Sequence, residues 1–114
     1  MIGTSYYGNP AVKEMGVLGI RLVSISRSTP NNIQCKHYAA LKPSWDLINH
    51  WRANHDEGYY RQAYGAILDK LDPRTVYEDL NKSVLLCYER PGEFCHRRLV
   101  AEWLTNHGYK IEEI

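Results

Sequence analysis

Two stretches of the chain carry residue types that can do covalent or acid–base chemistry together. Cys87 and Glu89 lie two residues apart at the end of an apolar run, and Cys95, His96 and Arg97 are consecutive a few positions later. If the run is a strand, Cys87 and Glu89 share one of its faces. If a helix opens near residue 95, Cys95 sits in its first turn, where the positive end of the helix dipole and nearby Arg97 or Arg98 favour thiolate over thiol. An unperturbed imidazole titrates near neutrality, so His96 suits a general base, a general acid or a hydrogen-bond donor. Arg97 offers a planar fork for a phosphate or carboxylate.

The elements that must position these residues are legible around them. Val84-Leu85-Leu86-Cys87-Tyr88 is a continuous apolar run of strand length, as expected of a central parallel strand covered on both faces, and Arg90-Pro91-Gly92 ends it. A last helix from about Cys95 turns Leu99, Val100, Trp103 and Leu104 inward and stops at Gly108. Met1 to Ser5 reads as a first strand closed by the turn residues Tyr6 to Pro10, and Ile20 to Ser26 as a second, with Val23 and Ile25 alternating against Ser24 and Ser26. From Arg27 to Lys42 the chain is polar and without a sustained period, a loop of a length that in compact domains often serves function.

Ser44 is the expected N-cap of a short amphipathic helix through Trp45, Leu47, Ile48 and Trp51. Tyr60, Tyr64, Ile67, Leu68 and Leu71 form the buried stripe of a second helix. Asp72-Pro73 caps and starts a third, with Val76 and Leu80 inward, and Tyr109 to Ile114 supplies a last strand. Strands interleaved with helices predict one layered α/β domain over residues 1–114, a small, mostly parallel sheet flanked by helices. In such sheets ligands gather beyond the carboxyl ends of the strands, which here deliver Ser26 and Arg27 beside Cys87 and Glu89.

Composition narrows the function classes. Fourteen Lys and Arg against thirteen Asp and Glu leave no basic field for nucleic acid or an anionic membrane surface. The opening residues show no charged leader before an apolar stretch, and no apolar run is long enough to span a bilayer. Cys35, Cys87 and Cys95 are too few, and odd in number, for a disulfide scaffold, so reduced thiols in the cytoplasm are expected.

Each residue also has a plainer reading. A cysteine inside an apolar strand, such as Cys87, is ordinarily a small buried hydrophobe. Cys35, His37, His50, His55 and His107 carry no pattern that points to chemistry. A tyrosine-phosphatase-like loop sets an arginine a fixed distance beyond its cysteine, but those places after Cys87 and Cys95 hold Glu93 and Ala101. A structural zinc site takes two close ligand pairs, whereas seven residues separate Cys87 from Cys95, and the adjacent Cys95 and His96 project about 100° apart on a helix. No metal and no cofactor is therefore assigned.

The segment from Val84 to Leu104 resembles the family catalogued as domain of unknown function 488. A strand ending in Cys, an aromatic residue and Glu, a short Pro/Gly loop, and a helix opening with Cys-His-Arg together make that family's signature. Ser24-Ile25-Ser26-Arg27 followed by Pro30 is similar to its second strand, although many relatives carry an Asp where this chain has Ser24. Leu41-Lys42-Pro43-Ser44 and Leu71-Asp72-Pro73 also fit its short members. The resemblance implies an α/β fold and a site at Cys87, Glu89, Cys95, His96 and Arg97, and it implies no activity.

The leading expectation is an enzyme acting on a small anionic or nucleotide-like substrate. Cys95 is the nucleophile, His96 or Glu89 moves protons, Cys87 completes the catalytic group, and Arg97, Arg27 and Ser26 bind substrate. The alternative is a non-catalytic metal- or ligand-binding, or thiol-redox, module built on the same residues. A third reading places a protein or nucleic-acid surface at Tyr59, Tyr60 and Arg61.

Overall fold

The structure is a computed structural model that describes residues 1–90 and 92–114; Pro91, expected to help end the central strand, lies outside them. Among the described residues five strands, β1 (Ile2–Tyr6), β2 (Arg21–Ser24), β3 (Lys36–His37), β4 (Ser83–Cys87) and β5 (Ile111–Glu113), form one sheet in the order β3-β2-β4-β1-β5. All four pairings are parallel. The helices are α1 (Pro10–Val17), α2 (Trp45–Asn54), α3 (Glu57–Asp69), α4 (Pro73–Leu80) and α5 (His96–Asn106). This is the expected layered α/β fold.

The apolar run is the central strand, and every residue of β4 is buried. Its alternate side chains enter two different cores. Leu85 packs among α2 to α5, with Leu47, Tyr64, Leu68, Val76, Val100 and Leu104. Val84 and Leu86 pack on the other face with Val12 of α1, Tyr7 and Leu22. Topology explains the split. The connection through α1 runs from β1 past β4 to β2, while the one through α5 runs the opposite way, from β4 past β1 to β5. Right-handed crossovers of opposite direction place their helices on opposite faces. The carboxyl ends of β2 and β4 border a cavity, on the edge of a parallel sheet where ligands usually gather.

The helix starts follow local chemistry. Side chains of Asn9, Ser44, Asp56 and Asp72 accept hydrogen bonds from first-turn amides of α1 to α4. Gly108, at φ 90°, provides the left-handed turn that ends α5.

Two elements depart from the expectations. The chain after Tyr7 is the helix α1 rather than a turn alone, and of its residues only Val12 is buried. The expected loop between Arg27 and Lys42 contains the two-residue edge strand β3 and a 3-10 turn over Ala39–Leu41. Among the described residues, no helix is long and apolar enough to cross a membrane.

Candidate functional site

β4 and the mouth of α5 bring the two reactive stretches together. Cys87 ends β4 fully buried, and Cys95, 4 % exposed, is the N-cap of α5 rather than a member of its first turn. Their sulfurs lie 3.3 Å apart with no disulfide between them. The Glu89 carboxylate stands within 4.8 Å of both. Glu89 lies in the bend beyond β4, so the two do not share a strand face; the bend still brings the carboxylate beside the sulfurs.

The two thiols titrate as a unit. The hydrogen bond from the Cys87 S–H, helped by Arg97 and the Arg98 backbone, lowers the Cys95 pKa despite burial. That same bond, followed by burial, raises Cys87. Arg97 donates through Nη1 to the Cys87 sulfur at 2.8 Å, so its charge eases the first ionisation of the pair whichever thiol gives up its proton. The bond from Cys87 then leaves the negative charge on Cys95.

Arg97 itself is 1 % exposed and heavily engaged. Besides Cys87 it bonds the Glu89 carbonyl oxygen at 2.9 Å and grips both carboxylate oxygens of Glu113 at 2.9 and 3.0 Å. The guanidinium expected to bind a ligand anion is committed to holding the site together, and Arg97 does not line the cavity beside Cys95.

His96 is also enclosed. Its Nε2 lies 2.7 Å from the Ile25 carbonyl oxygen, which can only accept, so the neutral ring carries its proton on Nε2. Burial lowers its pKa below the ordinary 6.5, and the lone pair sits on Nδ1.

A cavity of about 120 Å³ adjoins these groups. Cys95, His96, Glu89, Ser26 and Arg27 all line it, and Trp45, Trp51, Tyr60, Tyr88 and Phe94 supply aromatic walls. Arg27 is braced by a 2.6 Å bond from its Nε to the Pro43 carbonyl, while its terminal nitrogens make no further hydrogen bond among the described residues. Arg52 of α2 lines the same space. The Ser26 hydroxyl donates to the Ser28 carbonyl at 2.6 Å and lies 2.6 Å from the Tyr7 hydroxyl, so it braces the strand ends while lining the cavity.

The aromatic wall, Arg52 and Glu113 escaped the sequence reading as site residues. Tyr60 was visible only as part of a helical stripe and of a surface cluster with Tyr59 and Arg61. It is 5 % exposed and packs against Trp51 and Phe94, so it cannot belong to an open docking surface. Arg61 pairs with Glu102 and lies over the Phe94 ring, and Tyr59 stacks on His50. Cys35 lies on the opposite face, packed against the α1 core.

Cys87, Glu89 and Cys95 also form a set that could hold a metal ion. The Arg97 guanidinium contacting one of those sulfurs opposes a cation there.

No curated protein and no solved structure matches the chain. A family match, described as DUF488-N3a, active DUF488-N3 subclade, covers residues 3–108 and so takes in β2, β3 and β4, Cys87 and Cys95, and every residue lining the cavity, while β5 with Glu113 lies beyond it. The expectation drawn from the Cys-Tyr-Glu and Cys-His-Arg segments is met, and the chain belongs to the DUF488 family.

Proposed function

We propose that the protein is an enzyme that acts on a small anionic, nucleotide-like substrate through Cys95 as nucleophile. One observation carries this reading: an ionisation-prone sulfur at a helix N-cap lines a cavity that also presents arginines and flat aromatic walls. Aromatic faces suit a planar ring, and Arg27 with Arg52 suits a phosphate or carboxylate. The Cys95 thiolate attacks an electrophilic centre, forming a bond to sulfur as the bond to the leaving group breaks. Glu89, which lines the cavity with Cys95, relays a proton to the leaving group. Nδ1 of His96 takes a proton from the water that later releases the product. The three free thiols suit a reducing compartment, in keeping with the cytoplasm.

Alkylation with iodoacetamide at pH 7, read by peptide mapping, tests the proposal. Cys95 is expected to react at least about tenfold faster than Cys35, whose pKa burial raises, and adenosine monophosphate is expected to slow Cys95 alone. Equal sluggishness of the two thiols would remove the nucleophile.

A further inference from the structure

The proposed reaction uses one sulfur, yet the fold buries a second beside it. Cys87 contributes no surface to the cavity, and a cysteine serving only as packing has no need of a charged partner. Here Cys87 has two polar neighbours at contact distance, Cys95 Sγ at 3.3 Å and Arg97 Nη1 at 2.8 Å. A disulfide bond is about 2.05 Å long, so joining the sulfurs requires them to close by only about 1.3 Å. Of the pair, Cys95 alone lines the cavity, through which a small solute reaches it.

We propose that Cys95 is a site of reversible oxidation by hydroperoxides and that Cys87 is its resolving partner. The Cys95 thiolate attacks the terminal oxygen of hydrogen peroxide. A sulfur–oxygen bond forms, the oxygen–oxygen bond breaks, and after proton uptake the products are a sulfenic acid and water. The Cys87 sulfur then displaces the sulfenic oxygen from Cys95, giving a disulfide and a second water; the two thiols have lost two electrons and the peroxide has gained them. As Cys87 attacks it must become a thiolate, and the Arg97 guanidinium already touching its sulfur stabilises that charge. The disulfide removes the nucleophile, and a dithiol restores it, so the same pair silences the site under oxidation and protects Cys95 from irreversible oxidation.

This inference shares with the proposed function the accessibility and the thiolate character of Cys95, and it depends besides on Cys87, which that function does not use. Its test is read by mass and needs no substrate. Wild-type protein treated with equimolar hydrogen peroxide at pH 7 is expected to lose two hydrogens from its intact mass. Digestion should yield one linked peptide pair joining Cys87 to Cys95, and dithiothreitol should reverse both changes. Cys35→Ser is expected to behave like the wild type. Cys87→Ser should form no internal disulfide and should instead retain a dimedone-reactive sulfenic acid on Cys95. Linkage through Cys35, or a wild-type mass unchanged after peroxide, would overturn the proposal. The wild-type peptide map decides the matter even if a variant fails to fold.

Discussion

Arg97 and Glu113 form a two-pronged ion pair in which Nε meets Oε1 at 3.0 Å and Nη2 meets Oε2 at 2.9 Å. Glu113 belongs to β5 at the sheet edge and also accepts a hydrogen bond from Thr4. The last strand of the chain thereby fixes the guanidinium whose remaining nitrogen touches Cys87. Removing Glu113 leaves a buried cation without its carboxylate. Because the Glu113 side chain is 38 % exposed, water offsets part of that loss, and Glu113→Ala is expected to lower unfolding stability by about 1–3 kcal/mol, less than the ~3–5 of a fully buried pair. Urea denaturation checks this; an unchanged midpoint would show that the pair contributes nothing.

Neutral His96 makes stability depend on pH. Its pKa in the native state lies below the ordinary 6.5 because burial disfavours the charged ring. Below pH 6.5 the unfolded chain binds a proton at this position that the native chain does not, so stability falls as pH falls. The slope approaches about 1.4 kcal/mol per pH unit until the native pKa is reached. In His96→Gln the amide can still donate to the Ile25 carbonyl but cannot titrate. Its stability is expected to fall less than the wild type's between pH 7.5 and 5.5, whatever its absolute value. Identical losses in the two proteins would show that His96 charges freely in the native state.

These two residues illustrate what a linear reading reaches. The place of the site was legible because the apolar run of β4 and the start of α5 are close in sequence, so reactive residues at their ends converge through a short loop. The task of Arg97 was not, since it depends on a carboxylate sixteen positions later on an edge strand that is mostly exposed. The cavity roof likewise comes from α2 and α3, remote in sequence from both cysteines. Its aromatic residues read as ordinary core stripe until folding turns Trp51 and Tyr60 toward Phe94. Helix α1 was missed because a helix with a single buried residue has no apolar stripe, although Asn9-Pro10 is a cap followed by a first-turn proline. The two residues of β3 are too few to show alternation.

The two cavity arginines should differ in their contribution to anion binding. Arg27 is held by the Pro43 carbonyl, so its head loses little freedom when a ligand arrives, whereas Arg52 sits exposed in the last turn of α2. Measured as the adenosine monophosphate concentration that half-protects Cys95 from iodoacetamide, Arg27→Ala is expected to weaken binding about tenfold or more, the scale of one charge-assisted hydrogen bond. Arg52→Ala is expected to have a smaller effect. The reverse order would place the anion toward α2 and away from the end of β2.

Metal binding offers a contrast that the same geometry resolves. Cys87, Glu89 and Cys95 present donor atoms within 4.8 Å of one another, a set that would attract zinc if nothing else stood near. A zinc ion ligated by Cys87 at about 2.3 Å would share that sulfur with the Arg97 guanidinium, whose Nη1 is only 2.8 Å from it. Two positive charges about 4 Å apart repel by several kcal/mol per unit of charge at the effective dielectric of a protein site. Wild-type protein is therefore expected to bind zinc weakly in competition with a chromophoric chelator. Arg97→Gln, checked for folding by circular dichroism, is expected to bind it at least about tenfold more tightly, because the amide takes away the charge. Tight stoichiometric zinc binding by the wild type would instead make Cys95 a metal ligand and withdraw it as the nucleophile.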